Sequence, residues 1–434
     1  MNNTTNIFGA VILIILGALS ITGCETENSP YVDANLTDTK VYDTRGAYHD
    51  VLKECAITID AKSSCSLNKL PLLMQQNEHP TKEQIMQRVL VSHDWMGQRF
   101  AEMLDLLDSD IRTLLRATTA IVIDNDIHPS YYWKMTGAMY IDPRYLWLTP
   151  EEAQTITPKK DYRNDYDRDL KFNNLWVYIK DGRRAYHFPS INSHITRTKE
   201  DIKYALARLL YHELGHANDY STKEIIASAN KSLSISKALY LAKDKRVSSK
   251  LYTTHPLTSS TLKGLGQVMY HGEEATETQK AITASEVGTL FDEDGAVDIY
   301  GYSNQYEDLA MLFEESMMKL HYGLDVDLAF YDKKASNEKT TCDDLIVRWG
   351  KRNRLADPQV SERAKYVTLA ILPDATDWDD FFSSRVGVSI PMEVGVSWCD
   401  SHVEDKGKSL GGWKHNRVTG ERQINLMDFR IPEL

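Results

Sequence analysis

His212, Glu213 and His216 stand in the order H-E-x-x-H within Tyr211-His212-Glu213-Leu214-Gly215-His216. Histidines four residues apart on a helix project from one face, so both imidazoles can reach a single ion. Zinc takes imidazole nitrogen at about 2.0–2.1 Å and lowers the pKa of a bound water to about 7. Glu213, next to the first histidine, is placed to take the proton from such a water. These residue types at this spacing point to Zn2+ as cofactor, His212 and His216 as ligands, and Glu213 as general base of a hydrolytic site. No C-x-x-C spacing occurs, which argues against a cysteine zinc site.

The motif must sit on a helix to work. Residues 199–220 place Ile202, Ala205, Leu206, Leu209 and Leu210 on one face, and Thr198 with Asp201 offers an N-terminal cap. Gly215 costs a helix interior about 1 kcal/mol relative to Ala, which suggests close approach by another backbone. A catalytic zinc needs a third protein ligand. The extended pattern of the metzincins would need Gly at 219 and a ligand at 222, and Asp219 and Thr222 exclude it. Downstream, Glu307 opens a helix with Leu309, Leu312, Phe313 and Met317 on its apolar face. Asn304 followed three residues later by Glu307 is also a capping arrangement needing no metal. A third candidate is Asp292, since Gly288-Thr289-Leu290-Phe291-Asp292 matches the G-T-x-x-D of aspzincins. The run Asp292-Glu293-Asp294-Gly295 also reads as a solvated turn or weak calcium loop.

Two segments together, 199–220 and 300–315, resemble the gluzincins, and among them the lethal-factor-type zinc peptidases. Their second zinc helix carries a Glu ligand in a pattern E-x-x-A-x-x-F, which Glu307, Ala310 and Phe313 match. The resemblance implies that Glu307 completes the zinc site. It also implies that Tyr300 of the Tyr300-Gly301 pair donates a hydrogen bond to the oxyanion of the attacked carbonyl, a donor the chemistry needs in any case. Four residues after the ligand, where gluzincins carry an acid, stands Met311. Support for the imidazoles is therefore expected from Asp308 or a backbone carbonyl. The gap between the motifs requires an insertion at 221–285.

The first 24 residues carry a separate signal. Ile7 to Gly23 is almost wholly apolar, with the length of a secretory h-region. Ile21-Thr22-Gly23-Cys24 resembles a bacterial lipobox, which implies diacylation, palmitate included, at Cys24. Residues 1–23 are then a signal peptide, 24–50 a flexible tether, and 51–434 one peptidase unit lipid-anchored in the cell envelope, outer membrane or periplasmic side. Four cysteines remain, and an even number in an exported chain favours disulfides. Cys55–Cys65 with Cys342–Cys399 is the simplest of the three connectivities. A net charge of −12, from 62 acidic and 50 basic residues, makes the chain acidic as a whole and gives no sign of a nucleic-acid partner.

The elements that must position these residues read as follows. Residues 82–116 show apolar positions at helical spacing, among them Ile85, Val89, Trp95, Phe100, Met103 and Leu107. Strand patterns occupy 120–124, 137–141, 175–179 and 185–188. After residue 195 the pattern turns helical, strongest at 304–322 and 357–372; 221–285 is rich in Ser, Thr and Lys. The expected fold is α+β and zincin-like, strand-rich in its N-terminal half and helical in its C-terminal half, around an active-site helix. Either 137–141 or 175–179 could serve as the edge strand that holds an extended peptide, while His128 and Tyr131-Tyr132-Trp133 line a cleft or join the core. His321 reads as a helix C-terminal residue. The function implied is a zinc-dependent endopeptidase acting on protein or peptide. The alternative is a non-catalytic envelope lipoprotein whose structural or degenerate zinc site serves partner binding.

Overall fold

A computed structural model describes residues 34–58, 64–159, 166–334 and 344–401. The Ile7–Gly23 run, Cys24 and Cys342 lie outside the described residues. Among the described residues, helices and two five-stranded sheets make a mixed α+β architecture. The first sheet has the order β1 (Lys40–Val41), β2 (Val89–Val91), β3 (Ile121–Ile123), β5 (Ala138–Ile141), β4 (Tyr131–Trp133). Its centre, β2-β3-β5, is parallel, and both outer strands run antiparallel. The second sheet is antiparallel throughout, with β8 (Asp325–Asp332) central between β6 (Phe172–Lys180) and β9 (Val347–Arg352); β7 (Arg183–Arg184) flanks β6 and β10 (Ile390–Pro391) flanks β9.

Two helices fill the space between the sheets. The H-E-x-x-H helix, Lys199–Tyr220, lies toward β4 and β5. The Glu307 helix, Gln305–Tyr322, lies along it and toward β8. Strand β6 shows why its sheet sits there. By period-2 alternation, Phe172, Trp176 and Tyr178 join the main core, while Leu175, Val177 and Ile179 face a second cluster with Ala329, Val347 and Trp398. A strand buried on both faces reads as an unbroken apolar run, as Leu175–Ile179 does.

Several expectations change. Residues 82–116 are not one helical pattern, because Lys82–Met86 stops, β2 follows, and helices resume at Asp94–Leu106 and Ser109–Leu114. Val-Leu-Val is β-branched at both ends and fully buried between β1 and β3, so pairing overrides the helical spacing. The 185–188 strand does not form; only Arg183–Arg184 pairs, against Ile179 and Lys180. The C-terminal half is less purely helical than expected, since β8, β9 and β10 complete the second sheet. Residues 34–48, assigned to the tether, are folded: Leu36 is buried, Thr39 Oγ1 donates to Asp124 at 2.6 Å, and β1 pairs with β2.

Cys55 and Cys65 form a disulfide. The region 221–285 holds a succession of helices from Lys223–Ser228 to Ala284–Asp292. Among the described residues no helix is long and apolar enough to cross a membrane.

At the C-terminal end of the Glu307 helix, His321 bridges to the start of Ser109–Leu114. Its Nδ1 lies 3.0 Å from Asp108 and its Nε2 2.9 Å from Asp110. Burial works to lower the imidazole pKa, but these carboxylates outweigh it and raise it to about 9. Each ring nitrogen faces its own carboxylate, the arrangement of an imidazolium staple at a helix C-terminus rather than of a nitrogen lone pair offered to a metal. A folded pKa above the unfolded value near 6.5 means stability fully present below pH 6.5 and lost as pH rises through 9. His321→Gln is expected to flatten the fall in urea-unfolding free energy between pH 6.5 and 9; an unchanged slope would refute the staple.

Candidate metal centre

Each side chain of the site is placed by ordinary helix physics. Thr198 caps the H-E-x-x-H helix in a reciprocal capping box with Asp201, satisfying the first-turn N–H groups and setting the register of everything after it. The helix is buried at every position from Ala205 to its end at Tyr220. His212 and His216 therefore face the interior, 2% and 9% exposed. Across from them the Glu307 helix is capped by Asn304, whose Oδ1 accepts from the backbone N–H groups of Tyr306 and Glu307 at 2.9 and 3.0 Å. The cap and the ligand role are thus compatible: Asn304 holds the Glu307 backbone, and the Glu307 carboxylate points to the histidines.

Close approach of the two helices is what lets the carboxylate reach. A methyl at Gly215 would stand 3.4 Å from the Phe313 ring and 3.6 Å from the Ala310 Cα, so the helices touch with little between them. The small residue expected to admit a neighbouring backbone does so.

The three donor atoms converge. Glu307 Oε2 lies 3.1 Å from His212 Nε2 and 3.1 Å from His216 Nε2, and the two nitrogens are 3.3 Å apart. Ligands about 2.0–2.1 Å from a tetrahedral zinc stand roughly 3.3 Å from one another. The observed triangle has the size of one face of that tetrahedron, which leaves a fourth position open. One carboxylate oxygen facing two ring nitrogens, which also face each other, makes poor sense as a set of neutral hydrogen bonds. It makes good sense as a cation cradle, and the donor set of two imidazoles and a carboxylate suits zinc.

A residue missed in the sequence completes the arrangement. Glu314 is fully buried; its Oε2 lies 3.0 Å from His212 Nδ1, and its Oε1 accepts from the Tyr178 hydroxyl at 2.9 Å. With the proton assigned to Nδ1, this contact fixes the tautomer that turns the Nε2 lone pair toward the cradle. Arg208, one turn before His212, sits 3.5 Å from the same carboxylate and offsets its buried charge. Glu314 is seven residues, two turns, after Glu307 and so shares its face. The signal was present: Glu314-Glu315 are adjacent acids in an otherwise apolar stretch, and such groups are buried only when paired. The neighbouring Glu315 accepts from the Trp176 indole N–H at 3.2 Å, and burial pushes its carboxyl far up.

Asp308, expected to support the imidazoles, does not. It is ion-paired with Arg363 of the Pro358–Ile371 helix, one bond measuring 2.9 Å. Met311 is buried core. Asp292 is also excluded as a ligand: Lys351 at 2.5 Å and Arg354 at 3.4 Å hold it, and it does not join the histidines. Asp294 is spent on the backbone N–H groups of Thr258 and Ser259, a turn anchor and not a calcium loop.

Glu213 is 5% exposed. Burial pushes its carboxyl pKa up, opposed by the two imidazoles and by the backbone N–H of Tyr132. Tyr132 lies on β4, which is the edge of the first sheet; β5, containing 138–141, is interior and is not an edge strand, whereas β6, containing 175–179, pairs with β7 only at Ile179 and Lys180. Tyr131 stacks on Tyr140, ring centroids 4.5 Å apart, in the core. His128 contacts Asp142 at 2.8 Å and Arg144 at 2.9 Å and is structural. Tyr300 follows Asp298, which caps its 3-10 turn, and its ring centroid lies 6.4 Å from that of His212.

For His212 burial lowers the pKa, but hydrogen bonds to Glu307 and Glu314 more than offset it and raise it to about 10. A metal must displace that proton, so affinity rises with pH. At pH 7.5 zinc binding is expected to release about one proton, measured by calorimetry in buffers of different ionisation enthalpy. Glu307→Gln and Glu314→Gln should each weaken zinc binding, the latter by roughly 10–100-fold. Asp292→Asn should leave it unchanged, as read by competition with a chromogenic chelator.

Compared with known protein families, characterised proteins and solved structures, this chain has no match.

Proposed function

We propose that this chain is a zinc-dependent endopeptidase of zincin-like, gluzincin type, anchored through Cys24 outside the cytoplasm. The observation that carries the reading is the triangle of His212 Nε2, His216 Nε2 and Glu307 Oε2, with Glu213 beside it on the same helix. Glu307, brought from ninety-one positions beyond His216, is the residue the gluzincin resemblance designates.

His212, His216 and Glu307 would hold the ion. A bound zinc supplies Lewis acidity, polarising a substrate carbonyl and bringing water toward ionisation at neutral pH. Glu213 takes the proton of the attacking water and returns it to the departing amine, the two halves of general base and general acid work. A carboxyl raised by burial is a better proton carrier near neutrality than a free one. Tyr300, beside His212, donates to the oxyanion that forms on the carbonyl. Glu314 keeps the His212 ring oriented through the reaction and takes no part in proton transfer. The β4 edge passes directly over Glu213, where the backbone of an extended peptide could pair with it.

The second reading, a structural zinc site in a partner-binding envelope protein, is favoured by one observation: His212, Glu213 and His216 are all nearly closed off from solvent. Zinc content does not separate the readings, but Glu213 does. Glu213→Gln is expected to retain zinc stoichiometry while lowering kcat on a peptide library by about 10²–10⁴-fold. Cleavage that survives this substitution would overturn the enzyme reading. Tyr300→Phe should lower kcat by roughly 10²–10³-fold with little change in KM; a change in KM alone would remove Tyr300 from the oxyanion role.

A further inference from the structure

The chain is acidic overall, yet residues 225–272 contain seven basic side chains and one acidic, Asp244. The helix Ile235–Leu241 explains how this stretch presents itself. Ile235, Ala238 and Leu239 are buried, while Tyr240 and Leu241 at its C-terminal end are 56% and 63% exposed. Lys237 and Lys243 hold their ammonium groups 5.4 and 5.2 Å from the centre of the Tyr240 ring. A helix away, Tyr252 is 52% exposed, with the Lys263 ammonium 5.4 Å from its ring. Arg246 is not part of this surface, being buried over Tyr220 and bonded to Tyr306. Among the described residues neither Lys237 nor Lys243 has a carboxylate partner; Lys245 and Lys250 share Glu224 at 3.7 and 3.6 Å.

We infer that this face, centred on Tyr240 and Leu241 with Lys237 and Lys243, docks on an anionic phospholipid surface. Three features single out a membrane. An exposed aromatic and an exposed aliphatic side chain ringed by lysines bury apolar groups at the headgroup level while the ammonium groups stay among phosphates. The charge of the stretch is opposite to that of the chain, so the rest of the molecule would be repelled by the same surface and the patch alone would face it.

The helix that carries the patch is also tied, at its N-terminal end, to the part of the fold against which Ala34 packs. Ala34 packs on the cluster holding Leu36, Leu52, Cys55 and Leu70. Cys55 is bonded to Cys65, whose carbonyl accepts the backbone N–H of Ile235 at 2.9 Å. Ser66 bridges to Ser234, and the Asn68 N–H donates to the Lys231 carbonyl at 3.0 Å. From Cys24 to Ala34 an extended chain spans at most about 35 Å. This inference rests on the Cys24 anchor reading and adds a second contact to it. A diacylated Cys24 would hold the chain at the membrane by itself; the basic patch would fix which face of the fold lies against the lipid.

The full chain, carrying its N-terminal anchor, is reconstituted on vesicles of phosphatidylcholine alone or with 30 mol% phosphatidylglycerol, a fraction chosen as roughly that of a strongly anionic membrane. Sedimentation with the neutral vesicles reports the anchor. Hydrogen exchange across 235–252 reports the patch. Protection is expected on anionic vesicles only, about tenfold in the exchange rates, and it should be lost in 0.5 M salt, where the Debye length falls to roughly 4–5 Å. K237E/K243E and Y240S/L241S should each abolish it while zinc stoichiometry stays intact. Equal exchange on both vesicles overturns the docking face even if the chain sediments normally. Failure to sediment with neutral vesicles overturns the anchor, whatever the patch does. Protection produced by an acidic protein but not by lipid would replace the membrane with a protein partner and overturn the inference as stated.

Discussion

Everything at the centre of this molecule depends on how closely two helices pass. The carboxylate of Glu307 can reach His212 and His216 only because Gly215 and Ala310 let the Lys199–Tyr220 and Gln305–Tyr322 helices touch. A wider crossing would lengthen the 3.1 Å approaches beyond what one ion can bridge. The convergence of the three donor atoms is a by-product of helix packing, and the packing in turn is enforced from outside. The first sheet supports one helix and the second sheet the other, so the donor atoms are clamped between two layers.

That clamp carries an unusual amount of buried charge. Glu307, Glu314, Glu315, Asp298 and Asp308 all sit in or beside the core, and isolated carboxylates there would be costly. Each is answered differently. Glu307 faces two imidazoles, Glu314 faces His212, Tyr178 and Arg208, and Asp308 pairs with Arg363. Glu315 and Asp298 are instead pushed upward by burial, Asp298 to about 7. Two strategies coexist: charge where a cation is close, and a held proton where none is. Of the charged ones, Glu307 and Glu314 bear on the candidate cradle, while Asp308 ties its helix to Pro358–Ile371.

Corrections to the candidate site residues fall into two kinds. Asp308, Asp292 and His128 are polar residues with the right chemistry that the fold commits elsewhere, to Arg363, to Lys351 with Arg354, and to Asp142 with Arg144. Glu314 is the reverse case, a residue with no motif to mark it that the fold delivers to His212 Nδ1. Spacing along one helix was enough to see that Glu314 shares a face with Glu307. It was not enough to see that His212 would be on the other side.

Periodicity and capping chemistry, which are local, made most helices legible: Thr198 with Asp201, Asn304 before Glu307, and the buried runs at β3, β5 and β6 all appear where short-range physics places them. His212, Glu213 and His216 belong to this class, because four residues on a helix is a fixed distance whatever surrounds it. Glu307 as third ligand was legible only through the resemblance, not through local physics; the support of the imidazole by Glu314 and the place of the β4 edge beside Glu213 were beyond reach. Each depends on contacts across ninety or more residues, or on strand order. β2, which interrupts a helical pattern, and β8, which completes a sheet begun at β6, show the same limit. A chain's own period says what an element can be, but only pairing and burial decide which partner it meets, and the two imidazoles and the carboxylate converge because of the partners.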